Sequence, residues 1–330
     1  MKATSLNPSL NPASINPASL RNPAKKGIMQ NDLVRRIWRA RWLYVLMLPG
    51  LTFFVIYRYI PMWGILMAFQ NYMPRLGIRG SEWVGLRHFQ IFFAHDRFFQ
   101  LLRNTLIISF GHLLIAFPMP IILSLMLNEV RSSKFKKGVQ SVMYLPHFLS
   151  TVVVVSLMYV IFSMEDGIVN NAIAAMGLPR MNILMNARTY YQLFIGSIIW
   201  QSTGWGTIIF LAAIAGIDVE IYESARLEGA NRFKQALYIT LPSMLPIIMV
   251  SLVLSLGSIL DVSVERTILL SNPLNREVAE VFDSYVFNRG IISGDFSYAA
   301  AVGLWKSLVG LILVLGANKL SKLVTDEAIY

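Results

Sequence analysis

Two apolar runs, 191–217 and 241–260, flank a charged and glycine-containing island at residues 222–242 that reads YESARLEGANRFKQALYITLP. Each run is long enough to cross a bilayer at about 1.5 Å per helical residue, so the island is a loop between two membrane helices. Residues 223–228 are helix formers, Gly229 can end a first short helix and Pro242 can begin the next. The loop is therefore predicted to be folded, with a short helix lying across the membrane surface.

With 55% hydrophobic and only 14% charged residues and a mean hydropathy of +0.55, the chain reads as an all-α polytopic membrane protein. Hydropathy places six spans at 42–60, 104–127, 139–163, 190–216, 242–261 and 299–320. An even number puts both termini on one side. Lys2, Lys25, Lys26, Lys134, Lys136, Lys137, Lys234, Lys319 and Lys322 all fall in the tails, the loop between the second and third spans, the 222–242 island or the end of the last span. Lys306 alone departs, so the lysine-bearing face is the cytoplasmic one. Arginine opposes this reading: Arg75, Arg79, Arg87, Arg97, Arg103, Arg180, Arg188, Arg266, Arg276 and Arg289 lie in the outer loops.

Residues 1–34 repeat Asn-Pro with Ser, Ala and Leu, and each proline disfavours helix at the residue before it, so this basic segment is expected to be a disordered cytoplasmic tail. It lacks the apolar core of a cleavable signal peptide, which leaves the first span as the insertion signal. The membrane domain then runs from 35 to 330. Pro49, Pro118, Pro120, Pro146 and Pro246 predict kinks in the first three spans and the fifth. The 62–103 loop, which includes Trp63, Trp83, Phe89, Phe92, Phe93, Phe98 and Phe99, has enough apolar surface to lie on the membrane or to pack as a cap.

Several chemistries are excluded. There is no cysteine, hence no disulfide or thiolate-bound metal, and His88, His95, His112 and His147 include no i, i+4 pair, so no metal site is expected. No GxxxxGK[ST] occurs, so the chain is not expected to hydrolyse ATP, and no Gly-x-Ser-x-Gly or supported acidic pair suggests another enzyme. The net charge of +11 is interrupted by spans and forms no continuous basic stripe for nucleic acid.

Glu223, Ser224, Ala225, then Gly229, Ile239, Leu241 and Pro242 have a spacing that resembles the EAA loop (220–242) of permease subunits in binding-protein-dependent ABC importers. Ser224 departs from the family, which usually has Ala there; the residue stays small. Leu127-Asn128, the basic stretch 134–137, Tyr144-Leu145-Pro146 and Gly177-Leu178-Pro179 look like the carbohydrate-importer permeases, and 296–322 is similar to the branch importing lipo-oligosaccharides, polygalacturonate and alginate. The resemblance covers the chain from about Arg35 onward. It implies the type I importer permease fold, six transmembrane helices with a cytoplasmic coupling helix, in the bacterial inner membrane. It also implies a second homologous permease, two ATPase subunits holding ATP and Mg, an extracytoplasmic solute-binding protein and import by alternating access. Glu223 would be a polar contact to the ATPase, Ser224 and Ala225 small packing positions, Leu227 an apolar anchor and Gly229 the turn. The competing reading is an amphipathic loop bound to the membrane surface.

For an oligosaccharide path the fourth span offers Trp200, Gln201, Ser202 and Trp205, of which Gln201 and Trp205 share a helix face and join an amide to an aromatic plane for sugar stacking. The fifth offers Ser255, Ser258 and Asp261. Equally, the serines could pack helices and the tryptophans sit at an interface. Lys306 is a charge inside the last span that needs a partner or water. Either it faces the cavity and attracts an acidic sugar, or it forms an internal ion pair, with Asp261 or Glu265 as candidates, or snorkels. A gradient-driven secondary transporter would need midplane ion sites, ideally in inverted repeats, which are not found. A non-transporting scaffold would have no use for an EAA-spaced loop.

Overall fold

The computed structural model describes residue 35 and residues 38–325, so the expected tail at 1–34 lies outside the described residues. The chain divides into a unit ending at Trp63 and a unit beginning at Gly64. The first holds most of α1 (Arg41–Phe69), apolar along its length. The second holds α2 (Phe98–Asn128), α3 (Ser133–Phe148), α4 (Thr151–Phe162), α5 (Tyr190–Ala215), α6 (Val219–Leu227), α7 (Arg232–Ser243), α8 (Leu245–Gly257), α9 (Val264–Leu270), α10 (Phe282–Phe287) and α11 (Phe296–Thr325). Helices α1, α2, α5 and α11 are each long and apolar enough to cross a membrane; α3 with α4 and α7 with α8 make six spans if each bent pair is one.

Prolines account for much of this shape. The α3–α4 pair bends by 105° just after Pro146, and the α7–α8 pair by 59° at Met244, between Pro242 and Pro246. Elsewhere the helix widens instead of breaking. Ile60 donates to Val55 O, Phe117 to His112 O and Leu241 to Ala236 O, each an i→i−5 bond made by the residue directly before a proline. A proline ring presses on the carbonyl four residues back and supplies no N–H; one extra residue in the turn relieves the clash. Of the expected kinks, those in the third and fifth spans are breaks of the helix axis, and the second span carries a wide turn.

Helix α5 is the pillar of the second unit, packing on α2, α3, α4 and α9, while α8 packs along α11. Gly204 sits buried where α5 meets α3, and a Cβ there would run into the backbone carbonyl of Met143. Gly204→Ala is thus expected to push the two helices apart and cost about 1–3 kcal/mol, the usual range for overpacking. A thermal unfolding midpoint in detergent equal to that of wild type would contradict it.

The stretch between α8 and α11, expected as an outer loop, is folded into the bundle. Val262, Leu270, Ala279 and Val281 join Ile108, Val154, Tyr190 and Phe194 in one core. Phe282 and Tyr285 join Phe92, Leu101, Tyr298 and Val302 in another. Buried Asn104 pins it, donating to Glu277 O at 2.8 Å and Glu280 O at 2.9 Å while accepting from the Tyr191 hydroxyl at 2.8 Å. Thr105 accepts from Phe282 N and Ser109 donates to Ile259 O. Each bond satisfies a polar group that an apolar interior would otherwise penalise.

Candidate functional site

The polar island is a helix–turn–helix. Asp218 caps α6 by accepting from Glu220 N at 3.0 Å, and the dipole favours the acidic Glu220 in the first turn. At the other end Gly229 has φ +81°, Gly229 N donates to Arg226 O at 3.1 Å and Ala230 N to Ala225 O at 2.9 Å, the paired bonds of a Schellman turn. Asn231 then caps α7, accepting from Lys234 N. Tyr222 ties the two helices together through Thr240 (2.9 Å), and Arg232 pairs with Glu129 (3.4 Å) of the loop after α2. Glu223, Ser224 and Gly229 are exposed and Ala225 is half-buried. Leu227 is 90% exposed and Phe233 76%. The capped helix pair thus holds two large apolar side chains, Leu227 and Phe233, in the open.

Of the expected sugar-path residues, Gln201 is engaged within the protein. Its Nε2 donates to Leu149 O at 2.8 Å, at the bend between α3 and α4, and its Oε1 accepts from an Arg266 Nη. Arg266, 6% exposed, also donates to Ser197 Oγ at 3.0 Å and lies over the Phe194 ring. Burial pushes its guanidinium below the usual arginine value, against the pull of Glu265. This arginine, read from the sequence only as a dissenting loop charge, is what holds α9 to α5.

Trp205 keeps the same face as Gln201 but stacks flat on His147, with ring centroids 4.5 Å apart. Ser202, Trp205, His112, His147, Ser251 and Ser255 share the walls of a cavity of about 300 Å³ between α2, α5 and α8. Trp200 faces elsewhere, into an apolar cavity of about 340 Å³ against α4. Ser258 is exposed at the end of α8. The structure therefore brings Ser202, Trp205 and Ser255 together and parts them from Trp200 and Gln201.

Lys306 is paired twice. Its Nζ lies 2.6 Å from an Asp261 carboxylate oxygen and also bonds Asp283, whose other oxygen accepts from Val262 N at 2.7 Å. Asp261 is one of the two partners considered from sequence; the second is Asp283 and not Glu265. The Lys306 side chain is 14% exposed and Asp283 19%, with Asp261 at the open end at 64%. Among the described residues no group of three His, Asp or Glu could hold a metal ion.

Residues 120–326 match the family model described as "Binding-protein-dependent transport system inner membrane component". The chain is 47% identical over 90% of its length to the "Polygalacturonan/rhamnogalacturonan transport system permease protein YteP" of Bacillus subtilis (strain 168), covering 93% of that protein. It is 46% identical over 88% of its length to "Protein LplB" of the same organism, covering 92%. Among solved structures it superposes at TM-score 0.82 and 39% identity on a chain of a bacterial ABC transporter involved in the import of the acidic polysaccharide alginate, covering 89% of this chain and 99% of that one. A bacterial alginate ABC transporter in complex with an alginate pentasaccharide-bound periplasmic protein matches at TM-score 0.83 and 38% identity, with the same coverage.

Proposed function

The chain belongs to the family of binding-protein-dependent transport system inner membrane components, and we propose that it imports an acidic oligosaccharide, a short polyuronate, as one of two permeases in an ATP-driven transporter. The observation that carries this is α6, a short helix capped at both ends that presents Leu227 to the outside on a rigid turn. Glu223, Ser224, Ala225, Leu227 and Gly229 form the contact with the ATPase, which binds ATP and Mg. A stiff helix transmits a displacement; a flexible loop would absorb it. Both termini then lie on the cytoplasmic side with α6, and a solute-binding protein delivers the sugar to the opposite face.

The uronate substrate rests on the acidic polysaccharides named for the relatives. Ser202, Trp205 and Ser255, around the cavity between α2, α5 and α8, supply hydroxyls and an aromatic plane on this chain's side of the path. Gln201 shapes the path by bracing the α3–α4 bend, and Lys306 with Asp261 sets its charge. Trp200 and Ser258 lie at its margins.

Co-purification tests the whole reading. The tagged chain is expected to bring down a second permease and an ATPase, and the complex to hydrolyse ATP faster with a binding protein loaded with oligogalacturonate. A stable complex that transports without any ATPase would refute it and favour a gradient-driven carrier; a complex that transports nothing would favour a scaffold.

A further inference from the structure

Away from α6, where the loop before α2 meets the folded segment between α8 and α11, two cavities of about 690 and 330 Å³ share Arg276, Glu280, Asn288 and Ser293 in their walls. By the alternation of the spans both lie on the face opposite α6. Both are within or near the size range of small-ligand pockets, about 300–1,000 Å³. The smaller is also lined by Arg97 and Arg289. Three arginines and one carboxylate thus line the same cavity. Glu280 is 6% exposed and already shared, 3.2 Å from Arg97 and 3.7 Å from Arg276. Arg289 has no ion pair among the described residues; its Nε donates to the Tyr285 hydroxyl at 3.5 Å and its guanidinium rests over the Tyr298 and Tyr285 rings.

The backbone that presents Arg289 is itself unusual. Residues Asn288–Ile292 form a π-helical turn closed by Ser293 N donating to Asn288 O at 2.9 Å. The other three such turns in the described residues each precede a proline; this one has none after it, so proline relief does not explain it. Single wide turns in helices are frequent at functional sites. Here the turn sets Asn288, Arg289 and Ser293 on the cavity wall together.

We propose that these adjoining cavities are a receiving site for the carboxylates of a uronate oligosaccharide, held by Arg276 and Arg289 with Asn288 and Ser293 bonding the hydroxyls. The site rests on the importer reading above and adds to it a place on the outer face where charge is read before the sugar enters the membrane path. Guanidinium suits this because its planar fork meets a carboxylate with two parallel bonds. Arg97 keeps Glu280 neutralised and stays out of the exchange.

The test uses the assembled transporter in lipid nanodiscs without binding protein, and fluorescently labelled trigalacturonate with galactotriose as the uncharged competitor. Wild type is expected to bind trigalacturonate at least about tenfold more tightly than galactotriose, with the preference shrinking as salt rises. Arg276→Gln with Arg289→Gln should lose about tenfold for trigalacturonate and leave galactotriose unchanged; Arg289→Lys should retain most of the charged-sugar affinity, which separates charge from misfolding. Equal affinity of wild type for the two sugars, or an unaltered double variant, overturns the site. So does a double variant that binds sugar normally but no longer docks the loaded binding protein, which would make the patch a protein contact. Failure of the importer reading looks different, as absence of sugar-dependent ATP hydrolysis in wild type.

Discussion

Leu227→Asp is expected to leave the permease in the membrane at its normal level and thermal stability while stripping it of its ATPase. The side chain is 90% exposed in the chain itself, so its removal creates no cavity and unfolds nothing. In the complex it would be buried, and burying a leucine is worth about 1.5–3 kcal/mol, which Asp not only loses but reverses by bringing an unpaired carboxylate into the contact. Co-purification of the ATPase should weaken by about 100-fold, since every 1.4 kcal/mol is tenfold, and sugar uptake should fall with it. If the ATPase still co-purifies at wild-type yield, α6 is a helix lying on lipid and the coupling reading is wrong.

The second large effect is at Lys306. Lys306→Met removes the cation between Asp261 and Asp283. Stranding a buried partner costs about 3–5 kcal/mol; Asp261 at the open end can be hydrated, so about 2–3 kcal/mol is expected. Pairing it with Asp283→Asn removes the stranded charge and keeps an acceptor for Val262 N, and should recover most of the loss in thermal midpoint. Transport separates two roles. A double variant that is stable and imports acidic oligosaccharide identifies Lys306 as a structural tie. One that is stable but imports none requires the lysine itself in the path.

What the sequence made legible was what a local pattern can carry. Apolar runs marked the spans, the 222–242 island marked α6 and its turn, and Gly229 sits at the positive φ that only a few residues tolerate. Where Pro146 stands the chain does break, though no local rule gives the 105°. The 258–295 segment was opaque because its burial is tertiary: short mixed helices satisfied by Asn104, Thr105 and Ser109 from far along the chain. Gln201 and Trp205 stand four apart on α5, but the arginine that occupies Gln201 could not be foreseen, nor could Asp283 beside Lys306.

The wide turn in α2 shifts the helical periodicity of that span. Five turns of uninterrupted α-helix return to the same face after about 18 residues. The turn at His112–Ala116, closed by Phe117 N donating to His112 O, takes one residue more than an α-helical turn. The proline has in effect inserted one letter into the helical reading frame, and a wheel drawn straight through it would turn every later position of the span by about 100°.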